Sequence, residues 1–98
     1  MAEITVSLAE KRCAHDQILD VREDFEVTQG MIPGALHIPM GQLGSRLGEL
    51  DKDRPIIVVC RSGNRSAAVA DALTQTGYVA DTMNGGMAAW QRAGLPTR

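Results

Sequence analysis

The order of elements in this sequence predicts an α/β fold, with a parallel central sheet of about five strands and helices on both faces. Three observations carry that prediction. Segments of strand and helix character alternate from end to end, and no hairpin signal joins neighbouring strands. The β-branched run Ile56-Ile57-Val58-Val59 reads as a central parallel strand buried on both faces.

A short strand over Ile4 to Val6 comes first, and Ser7-Leu8-Ala9-Glu10 has the form of a capping box opening a helix. Gln17 to Val21 is too short for a helix and apolar enough for a strand. Arg22 to Thr28 makes one or two helical turns and stops at Gly30. Pro33-Gly34 signals a turn before a short strand around Ala35 to Ile38, which Pro39 ends. Gln42 to Leu50 places Leu43, Leu47 and Leu50 on one helical face, with Gly44 and Gly48 weakening its regularity. Arg54-Pro55 breaks the chain ahead of the buried strand. Ser66 to Thr76 is helical, with Val69, Ala70 and Leu73 on one face and Gly77 as its stop. Val79 to Met83 makes a last strand, and Asn84-Gly85-Gly86 turns into a final helix through Trp90, closed by Gly94 and Pro96.

Composition narrows the class of function. At 98 residues the chain is read as one domain, 1–98. Only Phe25, Tyr78 and Trp90 are aromatic, so the core is aliphatic, with methionines filling its gaps. A net charge of -2 gives no reason to expect a nucleic-acid or membrane partner. Cys13 and Cys60 form neither a disulfide framework, nor a metal-ligand spacing, nor the C-x-x-C of a dithiol oxidoreductase. No signal peptide is visible, and the longest apolar stretch, Ile56 to Cys60, is far too short to cross a bilayer. The expected location is the reducing cytoplasm, which suits an enzyme with a free thiol.

The chemistry concentrates in Cys60-Arg61-Ser62-Gly63-Asn64-Arg65-Ser66, which joins the buried strand to a helix. In open parallel sheets ligands sit at the carboxyl ends of the strands, and Cys60 marks that end. Backbone N–H groups in so tight a loop converge into an anion-binding nest, to which the helix N-terminus adds free donors and its dipole. A cysteine facing the nest is expected as thiolate, with Arg61 and Arg65 reinforcing the effect and attracting an anionic substrate. Gly63 lets the loop turn. A merely buried strand cysteine would not account for two arginines, a glycine and a helix start directly after it.

This loop closely resembles the active-site loop of rhodanese-type sulfurtransferases. Asp20-Val21-Arg22-Glu23, Ile32-Pro33-Gly34-Ala35, and Gly85-Gly86 with Trp90 follow the family's order, so the likeness covers essentially the whole chain. It departs from the family pattern at Met31, where histidine is frequent, at His37, where asparagine is common, and at Met83, where leucine is common. The resemblance implies a rhodanese-like fold and a thiosulfate sulfurtransferase activity needing no metal or organic cofactor. In the related phosphatases the arginine follows the cysteine by six positions. Here the sixth position is Ser66 and the arginine is Arg65, at the fifth, which implies the tighter sulfurtransferase cradle.

The expected cycle starts with attack of Cys60 on the outer sulfur of thiosulfate or a similar small anionic donor. Arg61 and Arg65 hold the donor, and the backbone N–H groups of Arg61, Ser62, Gly63, Asn64 and Arg65 cradle the resulting persulfide. A thiol or a protein acceptor then removes the sulfur. By resemblance, Asp20 braces the loop and Arg22 belongs to the neighbouring charge network, with Ser66 supporting the site. The alternative is a persulfide carrier or docking module in a sulfur relay, with little thiosulfate activity. Cys13 is expected to pack, His37 to be satisfied within the structure, and His15 to be solvated.

Overall fold

In the computed structural model, which describes residues 1–98, five strands form one parallel sheet in the order β1-β5-β4-β2-β3. The strands are β1 (Glu3–Ile4), β2 (Gln17–Asp20), β3 (Leu36–His37), β4 (Ile56–Val59) and β5 (Ala80–Met83). Between and after them run α1 (Val6–Arg12), α2 (Asp24–Val27), α3 (Leu43–Arg46), α4 (Asn64–Gln75) and α5 (Gly86–Arg92). The expected α/β class, parallel sheet and strand count are all observed.

Alternation along β4 divides the core. Successive strand residues face opposite sides. Ile56, Val58 and Cys60 therefore pack with Val69, Ala70 and Leu73 of α4, whereas Ile57 and Val59 pack with Ala9 of α1 and Met87 and Trp90 of α5. All four β4 residues are fully buried, each contributing about 1.5–3 kcal/mol of hydrophobic stabilisation. This rigid strand delivers Cys60 to the α4 side of the sheet's carboxyl edge. The expected aliphatic core is observed, with Trp90 anchoring α5 and its indole N–H donating to the Pro96 carbonyl at 2.9 Å.

Four local expectations need correction. The first strand is Glu3–Ile4 and not Ile4 to Val6, because Val6 already opens α1. The cap of α1 is Thr5, not Ser7: the extended Thr5 backbone leaves its hydroxyl to accept from the Leu8 amide at 3.1 Å. Gln42 to Leu50 is not one helix. It is α3 flanked by 3₁₀ turns at Met40–Gln42 and Leu47–Glu49, the irregularity its two glycines allow. Finally, α4 begins at Asn64, two residues before Ser66, because Gly63 caps it with φ +112°. That last shift places Arg65 and Ser66 in the helix's first turn, where amides have no intrahelical partner.

Candidate active site

Cys60 follows the last residue of β4, between β5 and β2, and is buried. Its sulfur accepts from the Gly63 amide at 3.1 Å and from the Ser66 amide at 3.4 Å. The Ser66 hydroxyl lies 3.4 Å from the same sulfur and 2.7 Å from the Thr82 hydroxyl on β5. When Cys60 ionises, the Ser66 proton can turn to Sγ while Thr82 donates to Ser66. Burial pushes the thiol pKa up, but the Ser66 hydroxyl and the amides of Ser66, Gly63 and Ser62 outweigh it, so the net shift is downward. The expected thiolate stabilisation thus comes first from loop and helix-start donors, with the Arg65 charge interacting with the thiolate from farther away.

The loop is held from the far side by α5. The Met87 amide donates to the Cys60 carbonyl at 2.8 Å and the Ala88 amide to the Arg61 carbonyl at 2.9 Å. Two donors at the start of α5 thus find their acceptors in the reactive loop. Such an approach requires Gly86, at φ +58°: a Cβ there would run into the Cys60 carbonyl and meet Arg61 backbone atoms at 2.6 Å. The glycine pair, read from sequence as a turn, is also the clamp on the loop.

The arginines divide in an unexpected way. Arg61 is exposed, and its guanidinium, unlike its carbonyl, has no hydrogen-bonding or ionic partner, so it is free to meet an anion. Arg65 is not free. Its guanidinium grips both carboxylate oxygens of Glu26 on α2, at 2.6 and 2.8 Å. The Arg65 pair, then an opposing burial effect, and further hydrogen bonding and charge from Glu23 and Arg22 leave the Glu26 pKa lowered to about 2. Glu26 was not singled out from the sequence, and only a contact spanning 39 positions reveals it.

Asp20 and Arg22 come together as a buried pair. Arg22 donates to the Asp20 carboxylate at 2.8 and 3.0 Å and reaches the Gly30 carbonyl at 2.8 Å. Asp20 does not brace the Cys60 loop directly, because its carboxylate is spent on Arg22 and the Arg22 amide. The connection to the loop is indirect, from Arg22 through the Glu26 carbonyl at 3.4 Å and the Glu26 carboxylate to Arg65. Ser62 and Asn64 are exposed along the loop rim. His37 is satisfied by the Arg22 carbonyl at 2.7 Å. Cys13 precedes β2, whose first residue pairs with the start of β4, so it lies at the opposite sheet edge, about four strand residues or 13 Å from Cys60 along the strand direction.

Beside the loop, a cleft of about 340 Å³ opens between α2 and α5, with Phe25, Glu26, Arg61, Met87 and Gln91 among its walls. Phe25 is exposed on its rim.

A buried cysteine in an amide cradle, at the carboxyl edge of a parallel sheet, is an arrangement suited to a nucleophile. Comparison with known proteins identifies the family. Residues 5–93 match the rhodanese-like domain model, and the chain belongs to that family. It is 44% identical over 89 residues to YtwF of Bacillus subtilis, named provisionally as a sulfurtransferase, covering 89% of this chain and 86% of that one. A sulfurtransferase of Allochromatium vinosum is 44% identical over 80 residues, covering 81% and 75% of the two chains. The crystal structure of a rhodanese-related protein from Thermoplasma volcanium superposes with a TM-score of 0.95 at 32% identity, covering 100% of this chain and 98% of that one. No helix is long and apolar enough to cross a membrane.

Proposed function

We propose that the protein is a single-domain sulfurtransferase that moves sulfane sulfur from thiosulfate or a similar anionic donor to a thiophilic acceptor through a persulfide on Cys60. The observation that carries this reading is the set of donors converging on Cys60 Sγ from Ser66 and Gly63. They favour thiolate before attack and the anionic persulfide after it.

The thiolate attacks the outer sulfur of thiosulfate. A sulfur–sulfur bond forms to Cys60, the bond to the sulfonate sulfur breaks, and sulfite leaves with its electron pair. Cyanide or a thiolate then attacks the outer persulfide sulfur, forming thiocyanate or a new persulfide and returning the Cys60 thiolate. Arg61 meets the donor's anionic oxygens at the cleft, and amides of the Arg61–Arg65 loop cradle the sulfur. Cys60 needs a reducing setting to stay free, for which we assign the cytoplasm.

Intact-mass measurement after exposure to thiosulfate tests the proposal. The wild-type protein should gain one sulfur atom and release thiocyanate when cyanide is added, and Cys60→Ser should do neither. A Cys60→Ser variant that still turns over would refute it. Loading by a cysteine desulfurase but not by thiosulfate would instead select a relay carrier.

A further inference from the structure

We propose that Glu26 is a specificity-determining positioning residue: by holding Arg65, it leaves Arg61 as the one uncommitted guanidinium at the loop and biases the site toward monoanionic sulfane-sulfur donors over dianionic ones. This rests on the persulfide reading above and specifies its donor class.

Glu26 is firmly placed. Besides both Arg65 bonds, its carboxylate accepts from the Glu23 amide at 2.9 Å, and its carbonyl accepts from Arg22. Its side chain is 13% exposed and that of Arg65 35%. The carboxylate cannot swing away without losing the start of α2 as well. Around the loop, Asp20 pairs with Arg22 and Glu26 with Arg65, and Glu23 adds a further negative charge near Arg65, so Arg61 is the one guanidinium without an acidic partner and no positive charge is left over for a second donor charge.

A monoanionic donor such as methanethiosulfonate requires only Arg61. Thiosulfate brings a second negative charge to a site where Arg65, already neutralised by Glu26, offers it no compensation. The chemistry of the two donors is otherwise parallel. The Cys60 thiolate attacks the terminal sulfur, the sulfur–sulfur bond breaks, and methanesulfinate leaves with the electron pair, as sulfite does from thiosulfate.

Thiocyanate formation is measured with each donor for wild type, Glu26→Gln, Glu26→Asp, Arg65→Gln and Glu26→Gln/Arg65→Gln, at low and physiological ionic strength. Glu26→Gln frees Arg65 and should raise the ratio of kcat/KM for thiosulfate to that for methanethiosulfonate about four- to tenfold, as one extra charge interaction across several ångströms implies. The gain should appear chiefly in the thiosulfate KM and shrink as salt rises. Glu26→Asp should retain the wild-type ratio. The double variant carries no unpaired charge and should return the wild-type ratio, whereas Arg65→Gln alone leaves the Glu26 charge unpaired and should lower the ratio about four- to tenfold, which keeps the test decisive if Glu26→Gln does not fold.

A ratio that stays within about twofold of wild type in Glu26→Gln overturns the inference. So does a ratio that collapses in the double variant, which would show that Arg65 serves the dianion in the native site. Persulfide on Cys60 from both donors with an unmoved ratio defeats this inference alone. No sulfur added by either donor defeats the sulfurtransferase reading itself.

Discussion

Replacing Gly86 with alanine tests whether α5 is the clamp on the reactive loop, and Gly34→Ala supplies the control. Both glycines have positive φ, +58° and +83°, so an alanine at either carries left-handed backbone strain of about 1–2 kcal/mol. A Cβ at Gly34 meets nothing within 4 Å, whereas one at Gly86 collides with the backbone of Cys60 and Arg61. Backbone cannot rotate aside as a side chain can. Relief requires α5 and the loop to separate, which loses the Met87–Cys60 and Ala88–Arg61 hydrogen bonds, about 1 kcal/mol each. Gly86→Ala should therefore cost about 3–4 kcal/mol against 1–2 for Gly34→Ala. For a domain of this size that corresponds to a fall in Tm of about 15–30 °C against about 5–15 °C. The readouts are urea or thermal unfolding, together with the pH dependence of Cys60 alkylation, which should move upward in Gly86→Ala alone as the amide cradle loosens. If the two variants melt within about 1 kcal/mol of each other and alkylate alike, the clamp does not exist.

Other consequences follow from the same contacts. Ser66→Ala removes a donor from Cys60 and strands the buried Thr82 hydroxyl, so it should shift alkylation to higher pH and destabilise by about 1–3 kcal/mol. Adding Thr82→Val should recover stability without restoring the alkylation profile. Asp20→Asn leaves the buried Arg22 charge uncompensated and should cost about 3–5 kcal/mol in chemical denaturation, far more than an exposed pair. Glu26 has a folded pKa of about 2, below its unfolded value of about 4.3. Its contribution is thus present above the unfolded value and lost as pH falls through about 2. Discounted for the solvent reaching Arg65, it is about 1 kcal/mol, so the stability gap between wild type and Glu26→Gln should narrow between about pH 5 and 2.

The parts of the fold legible in the sequence were those fixed by local pattern. The run Ile56 to Val59 reads as a strand covered on both faces, and alternation without hairpins implies parallel crossovers, both of which the fold shows. Boundaries were less legible where a single cap decides them. Thr5 and Ser7 are both competent caps, and the choice depends on where the chain leaves β1 to pair with β5. Starting α4 at Ser66 missed what Gly63 makes possible, a left-handed cap that begins the helix earlier. That earlier start matters, because it fixes the first turn over the sulfur and aims the free Ser66 amide at Cys60.

The same division explains the site. Cys60, Gly63 and Ser66 lie within one loop, so their convergence followed from chain connectivity. Thr82, Gly86 and Glu26 reach it from β5, α5 and α2, and their sequence distances carry no trace of the contact. In the sequence, two arginines beside a cysteine therefore look like two free cations. Folding supplies the missing partner for one of them: α2 brings Glu26 to Arg65, while Arg61 remains exposed at the cleft. Thiolate stabilisation rests chiefly on donors within hydrogen-bonding distance of Sγ, whereas the proposed anion attraction rests on one exposed guanidinium. Because buried donors are screened little by salt and an exposed charge strongly, raising ionic strength should weaken donor capture while leaving the alkylation profile of Cys60 in place.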